Sequence, residues 1–231
     1  MLPILDDRLL SAASMVRHGS RFADIGSDHA YLPIYLTLIG KVECALASDI
    51  NKGPVAAAVE NIEQYGVTSK VKAILSDGLC GARDFYPEDI AILGMGGELI
   101  VSIIDKAEWV KNKNIRLILQ PMTHAHTLTK YLLDNGFSIV DEKICATSST
   151  RSDRIYRVIC AEYLGNTETW SDAENLVGKI NIERAKSGDK LTKKYIQHTI
   201  DVYNVRINGK AQAGSDATYE INIVKELEGI L

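Results

Sequence analysis

Short apolar runs alternate with amphipathic segments along more than half of the chain. The apolar runs have the length of strands and show little alternation of polar and apolar residues, which is typical of strands buried on both faces of a parallel sheet. They predict strands at 21–25, 42–48, 70–75, 89–93 and 115–119. The amphipathic segments predict helices at 5–17, 30–39, 55–65, 98–106 and 124–135. This order predicts an α/β fold with a doubly wound, mostly parallel, Rossmann-like sheet.

The pattern changes after the last of these helices. Two strand-like runs, 137–145 and 154–163, follow one another without a helix between them. The polar segment 147–153 joins them. We therefore expect an antiparallel hairpin that completes a seven-stranded sheet.

Strand signals stop near residue 165, and the rest of the chain has a helical pattern. Helices are predicted at 170–187, 189–209 and 217–230. In the second of them, apolar and aromatic side chains recur at coiled-coil-like spacing, at Leu191, Tyr195, His198, Val202 and Val205. We predict a Rossmann-like domain over 1–164 and a small, all-helical, coiled-coil-like domain over 165–231.

Composition narrows the class of protein only slightly. The formal net charge of −4 does not indicate nucleic-acid binding by overall balance, so any such binding needs a local basic patch. No apolar run is long enough to span a bilayer, and the N-terminus lacks the pattern of a signal peptide. Four scattered cysteines without C-x-x-C spacing indicate reduced thiols. We expect a cytoplasmic protein with no membrane contact, and no metal site, since His124 and His126 lack an evident third ligand.

Polar residues and glycines follow each of the first five strands. In a doubly wound sheet the carboxyl ends of parallel strands form the edge where ligands bind. The residues expected at this edge are Asp24, Gly26, Ser27, Asp28, His29, Asp49, Ser76, Asp77, Gly78, Gly94, Met95, Gly96, Gly97, Gln120 and Pro121. Together they predict a ligand-binding rim.

The individual positions leave alternatives open. The turn after the first strand has Asp28 where a dinucleotide fingerprint has its second glycine, and a carboxylate there repels phosphate but suits a cationic or amino-acid-like ligand. Its alternative role is to cap the following helix. Asp49 is spaced to accept both ribose hydroxyls of an adenosine ligand, or else to cap a helix. Asp77 suits an adenine amino group or a simple Asp-Gly turn. The glycines from Gly94 to Gly97 let a flat ligand approach the backbone.

Four motifs resemble the bacterial tRNA (adenine-22, N1) methyltransferases. They are Asp24-Ile-Gly-Ser-Asp-His-Ala-Tyr-Leu-Pro33, Ser48-Asp-Ile-Asn-Lys-Gly-Pro54, Gly94-Met-Gly-Gly97 and Leu117-Ile-Leu-Gln-Pro121. These enzymes use S-adenosylmethionine (SAM) and combine a Rossmann-like domain with a C-terminal helical coiled-coil domain. The match covers residues 4–163, and the C-terminal third matches only in helical character. The resemblance implies SAM as cofactor, tRNA as partner, and methylation of adenine N1 at position 22.

The resemblance also implies roles for the rim residues. The turn with Asp24, Gly26, Ser27 and Asp28 surrounds the methionine end of SAM. Asp49 and Ile50 lie at the ribose, Asp77 and Gly78 near the adenine, and the segment from Gly94 to Gly97 completes the cofactor site. The Asn/Asp-Pro-Pro-Tyr motif of other amino-methyltransferases is absent from the sequence.

Adenine N1 carries a free lone pair, so alignment with the methyl group should matter more than base catalysis. Asp28 is expected to stabilise the cationic product ring, while His29 and Tyr31 position the base. Gln120 and Pro121 are expected on the substrate side. Met122 stands where some relatives have Asn, which leaves a side-chain role there open.

A basic segment in the C-terminal third predicts the tRNA contact. Between residues 184 and 210 there are seven basic and two acidic residues. We expect Lys190, Lys193 and Lys194 to contact phosphates, the alternative being an ordinary solvated helix face. Two other functions remain open for the whole chain, a SAM-dependent methyltransferase of a small molecule and a non-enzymatic nucleotide- or RNA-binding module. No oligomeric state is predicted.

Overall fold

A computed structural model describes residues 1–148 and 153–231. Its centre is a seven-stranded sheet with the order β3-β2-β1-β4-β5-β7-β6. The strands are β1 Ser20–Ile25, β2 Val42–Asp49, β3 Val71–Leu75, β4 Asp89–Gly96, β5 Arg116–Thr123, β6 Phe137–Ser148 and β7 Asp153–Tyr163. The first five are parallel, whereas β7 pairs antiparallel with both β5 and β6. The predicted mostly parallel Rossmann-like sheet with an antiparallel hairpin is confirmed.

Helices cover both faces of the sheet. They are α1 Asp7–Met15, α2 Tyr31–Leu38, α3 Lys52–Gln64, α4 Gly97–Asp105, α5 Ala125–Asp134, α6 Asp172–Val177, α7 Lys179–Lys186, α8 Lys190–Gln212 and α9 Thr218–Glu228. One buried cluster joins the sheet to α1, α2 and α3, and a second joins it to α4 and α5. The strand order reverses between β1 and β4, which is the point where open α/β sheets bind ligands. No helix in the described ranges is both long and apolar enough to cross a membrane.

Two predicted boundaries are wrong. The helix predicted at 170–187 is divided into α6 and α7 by Gly178, whose φ of 91° places it outside the helical region. Strands β6 and β7 extend into the segment predicted as a polar loop, because Thr147 and Ser148 continue the ladder with Arg154 and Asp153. Residues 149–152 of that predicted loop lie outside the described residues.

The predicted apolar stripe of α8 is also wrong in part. His198, Val202 and Val205 are exposed, Val205 at 71%. The buried face is rotated by one residue and consists of Thr192, Ile196, Ile200 and Tyr203. A step of one residue turns a helix by about 100°, so the second half of the predicted stripe faces solvent, whereas Tyr195 still packs against the core of the C-terminal helices.

The C-terminal helices have a buried core of their own. It contains side chains from α6, α7, α8 and α9. These helices also contact the first part of the chain, since α6 packs on α5, and α7 and α8 pack on β6. The division at residue 165 therefore stays a prediction.

Candidate functional site

The carboxyl ends of the parallel strands bring the predicted rim residues together. The Gly26 amide donates to Ser48 O at 2.7 Å, which ties the end of β1 to β2. The Ser76 amide donates to Asp49 O at 2.9 Å and ties β2 to the segment after β3. On the other side of β1, a Cβ on Gly26 would lie 2.1 Å from Met95 Cε of β4. Glycine is favoured at 26 by its φ of 78°, whereas the Met95 methyl group ends a flexible side chain that could move aside.

Asp24 is a buried carboxyl group at the base of this turn. Burial raises its pKa to about 6, while a hydrogen bond from Ser27 and the charge of Arg8 act in the opposite direction. Ser27 is itself buried, and its amide donates to Ser48 O at 2.9 Å. At neutral pH such a carboxyl group is largely ionised, and a cation beside it stabilises the charged form.

Asp28, His29 and Tyr31 lie on the open side of the rim. The Asp28 side chain is 69% exposed, and its Oδ2 lies 3.3 Å from His29 Nε2. The rings of His29 and Tyr31 stack with centroids 5.3 Å apart. The N-cap of α2 is Ala30, with φ 56° and no side-chain capping bond, so Asp28 is not the cap of this helix. Asp28 is therefore available to a ligand.

Asp49 and Asp77 follow β2 and β3 on one side of the switch point. Asp49 Oδ1 accepts from the Asn51 amide at 2.7 Å, which uses one of its two carboxylate oxygens at the start of α3. The neighbouring Ile50 is exposed. Asp77 and Gly78 line a cavity of about 50 Å³ whose other lining residues include Leu79, Ile103 and Trp109. This cavity is smaller than an adenine ring, so the role of Asp77 beside the adenine stays a prediction.

The glycine-rich segment continues β4 to Gly96 and starts α4 at Gly97. A Cβ on Gly97 would lie 2.3 Å from His124 O, so glycine is needed here for backbone packing against the end of β5. Gly94 has a φ of 77° and lies next to the Arg8 side chain. Glycines in this segment are therefore needed for the backbone conformation and packing, in addition to their predicted role at the cofactor.

Sequence reasoning missed Arg8. This residue is in the first turn of α1, and its Nη1 donates to Gln120 Oε1 at 3.2 Å. The same oxygen accepts from the Gly94 amide at 3.1 Å, while Gln120 Nε2 donates to Pro121 O. Gln120, predicted on the substrate side, is completely buried and holds Arg8 at the rim. In the sequence, Arg8 is visible only as a basic residue in a short amphipathic helix.

The three predicted tRNA-binding lysines lie at the start of α8. The neighbouring Leu191 lines one groove with Asp7 and Leu10 of α1 and with 143–146 of β6. The start of α8 therefore lies beside α1, which supplies Arg8 to the rim. Lys193 Nζ donates to Leu231 O at 3.3 Å.

Other basic residues of the window are bonded within the protein. Arg184 Nη2 donates to Asp141 Oδ1 at 2.9 Å, and Lys210 Nζ lies 2.7 Å from Glu220 Oε1. The positive charge of this window is thus partly neutralised by the protein itself. Among the residues that the structure describes, no group of three or more His, Cys, Asp or Glu side chains is placed to hold a metal.

Known proteins resemble the chain in sequence and in structure. A family model described as "Methyltransferase domain" matches residues 5–159. The tRNA (adenine(22)-N(1))-methyltransferase of Bacillus subtilis is 34% identical over 206 residues, which are 86% of this chain and 84% of that protein.

Two solved structures extend this similarity to the C-terminal helices. A putative tRNA (m1A22) methyltransferase of Streptococcus pneumoniae, solved in complex with S-adenosyl-L-methionine, has a TM-score of 0.83 at 29% identity and covers 97% of this chain and 99% of its own. The m1A22 tRNA methyltransferase of B. subtilis has a TM-score of 0.80 at 29% identity over 98% of this chain and 95% of its own.

Proposed function

Since the chain belongs to the family of tRNA (adenine(22)-N(1))-methyltransferases, we propose that it transfers a methyl group from SAM to N1 of adenine 22 in tRNA. The observation that carries this proposal is 34% identity along 84% of a curated family member. The rim at the β1/β4 switch point supports it, because this is where the fold binds an adenosine-containing ligand.

The rim residues fit the parts of SAM. Buried Asp24 and cationic Arg8 suit the two opposite charges of an amino acid. Asp49 offers a carboxylate for ribose hydroxyls, and Asp77 follows β3 at the same edge, where its carboxylate can accept from the adenine amino group. When bound, SAM supplies an electrophilic methyl group on a sulfonium.

The chain's own contribution is to align and stabilise. Adenine N1 attacks with its own lone pair, so the enzyme needs no strong base and the main requirement is proximity. The stacked rings of His29 and Tyr31 offer an exposed aromatic surface for the base. The product ring carries a positive charge, and the exposed carboxylate of Asp28 stabilises it electrostatically.

The base reaches this rim only when it is unpaired or flipped out of the tRNA. Lys190, Lys193 and Lys194 contact the tRNA phosphates beside the α1 edge. Pro121, after Gln120 at the end of β5, is buried beneath the substrate side. Because its substrate is tRNA, the protein acts in the cytoplasm.

The direct test is methyl transfer from radiolabelled SAM to unmodified tRNA. We expect incorporation into tRNA with adenine at position 22, and a block to reverse transcription at that position. A tRNA differing only by guanine at position 22 is the matched control and should incorporate no label. Label in both tRNAs, or in neither, would overturn the assignment of the target.

The lysine arm has a separate test. Reversing Lys190, Lys193 and Lys194 to Glu should raise the apparent KM for tRNA by at least about tenfold, because phosphate contacts dominate nucleic-acid affinity. The dependence of log KM on log salt should become shallower by about two to three units. SAM affinity should stay unchanged.

A matched charge reversal controls for net charge. Lys70, Lys72 and Lys113 are exposed and lie on β3 or at the amino ends of β3 and β5. Their reversal to Glu changes the total charge equally but should leave KM within about twofold and the salt dependence unchanged. If both triple variants behave alike, the arm is not a specific tRNA contact.

A further inference from the structure

Arg8 places a guanidinium group at the rim, close to the backbone of β4. Its Nη1 lies 3.2 Å from Gln120 Oε1 and 3.6 Å from the position that a Cβ on Gly94 would occupy. Only 21% of the side chain is exposed. The guanidinium is therefore a partly buried cation at the end of β4, where the absence of a side chain on Gly94 leaves room beside it.

The position of Arg8 is fixed from both sides. Asp6 caps α1 by accepting from the Leu9 amide at 2.8 Å, and its other oxygen lies 3.6 Å from Arg8 Nε. Gln120 is fully buried and fixed by its bonds to Gly94 and Pro121. These contacts use one Nη and Nε, whereas a guanidinium has five N–H donors and needs two to bind a carboxylate.

The surroundings carry complementary charges. Asp24 is a buried acid close enough to Arg8 for the two charges to interact. The two groups thus offer one anionic and one cationic partner at the same end of the rim. An amino-acid zwitterion matches this arrangement, since its ammonium and carboxylate groups share one carbon atom.

We propose that Arg8 binds the α-carboxylate of the methionine moiety of SAM and thereby selects ligands that retain the amino-acid end. This inference rests on the proposed function for the identity of the cofactor. It adds α1 to the cofactor site as the element that brings the cation.

The test compares two ligands that differ only at this end. S-adenosylhomocysteine has the amino-acid group, whereas 5′-methylthioadenosine has the adenosine and the sulfur without it. Calorimetry should show that Arg8→Met binds S-adenosylhomocysteine about ten- to a hundredfold more weakly than wild type, because a charge-assisted hydrogen bond to the carboxylate is lost. Methylthioadenosine affinity should stay within about twofold. Arg8→Lys, which keeps the charge without the fork, should give an intermediate loss.

Asp49→Ala is the matched control at the other end of the cofactor. Because both ligands carry the ribose, this variant should weaken both by the same factor. Urea unfolding of each variant confirms that the fold is retained. If Arg8→Met changes neither ligand, weakens both equally, or raises only the KM for tRNA, the carboxylate assignment is overturned.

The same measurements separate this inference from the proposed function. Calorimetry needs no tRNA, so a wild-type protein that binds S-adenosylhomocysteine but methylates no tRNA contradicts only the tRNA activity. A wild-type protein that binds neither SAM nor S-adenosylhomocysteine contradicts both.

Discussion

A buried ion pair between Glu142 and Arg157 joins the edge hairpin to the C-terminal helices. Glu142 on β6 is 0% exposed, and Arg157 Nε on β7 donates to its Oε1 at 2.7 Å. Arg157 Nη1 also donates to Asn175 O at 2.9 Å, near the end of α6. Glu142 Oε2 accepts from the Ile180 amide at 3.1 Å, in the first turn of α7. The guanidinium of Arg157 therefore binds a backbone carbonyl near the end of α6, and the carboxylate of Glu142 binds a backbone amide at the start of α7.

The magnitude of the loss follows from this burial. Removing one partner of a buried pair costs about 3–5 kcal/mol, because the remaining charge loses its counter-ion in a low-dielectric site. We expect Arg157→Met to lower the free energy of unfolding by about that amount. The variant leaves the Glu142 carboxylate with one backbone donor in α7 and leaves two α6 carbonyl groups without the guanidinium.

The measurement is urea unfolding followed by far-UV circular dichroism and by fluorescence. Trp170 lies at the start of the C-terminal helices and Trp109 in the α/β part, so variants that keep one tryptophan report each part separately. We expect the Trp170 signal to be lost at lower urea than the Trp109 signal in Arg157→Met. The double variant Glu142→Leu/Arg157→Met should recover much of the loss, since neither charge is then left alone.

An exposed pair provides the control. Lys130 Nζ lies 2.9 Å from Asp134 Oδ2 on the surface of α5, and Lys130→Met should cost less than about 1 kcal/mol. The reasoning is refuted if Arg157→Met costs no more than Lys130→Met. It is also refuted if the losses from Glu142→Leu and Arg157→Met simply add in the double variant.

Two further predictions concern the rim. Burial raises the pKa of Asp24 from 3.8 to about 6 in the folded protein. The folded state therefore favours the protonated carboxyl group, and the stability associated with it is fully present below about pH 4 and is lost as the pH rises through 6. Above pH 6, Asp24→Asn should therefore have a free energy of unfolding up to about 3 kcal/mol higher than wild type, whereas near pH 4 the two proteins should be equally stable in urea. The variant should also bind SAM more weakly. Gly97→Ala should cost about 1–3 kcal/mol and weaken SAM binding, because its Cβ would meet His124 O. Gly53→Ala, in open space on α3, should be neutral or slightly stabilising in the same unfolding assay, and equal losses in both would contradict the packing argument.

The sheet could be predicted because its strands are local signals. The strands predicted at 21–25, 42–48 and 89–93 are mostly apolar, and glycines or polar residues mark where they stop. Parallel order then places their carboxyl ends on one edge without any knowledge of distances. The sequence was therefore enough to predict which residues lie together at the rim, although not the distances between them.

The errors lie where long-range contacts decide the structure. Gly178 looks like a tolerated glycine within a helix, yet a Cβ there would lie 2.2 Å from Glu142 Oε1, a residue 36 positions earlier. The buried face of α8 includes the polar Thr192, whereas the apolar Val205 faces solvent. The spacing of apolar residues along α8 therefore predicts the wrong buried face. Arg8 is held at the site by a hydrogen bond to Gln120, far along the chain.

The same contacts determine how the C-terminal helices can assist methyl transfer. Arg184 of α7 bonds to Asp141 and to the carbonyl of Glu142 on β6, so α7 is fixed to the edge hairpin at several points. The hairpin is in turn paired through β7 with β5, whose Gln120 holds Arg8 at the rim. A continuous series of hydrogen-bonded elements thus connects the proposed tRNA-binding helices to the cofactor end of the site. Because methylation of N1 depends on alignment, such a rigid connection favours transfer more than a flexible linker would.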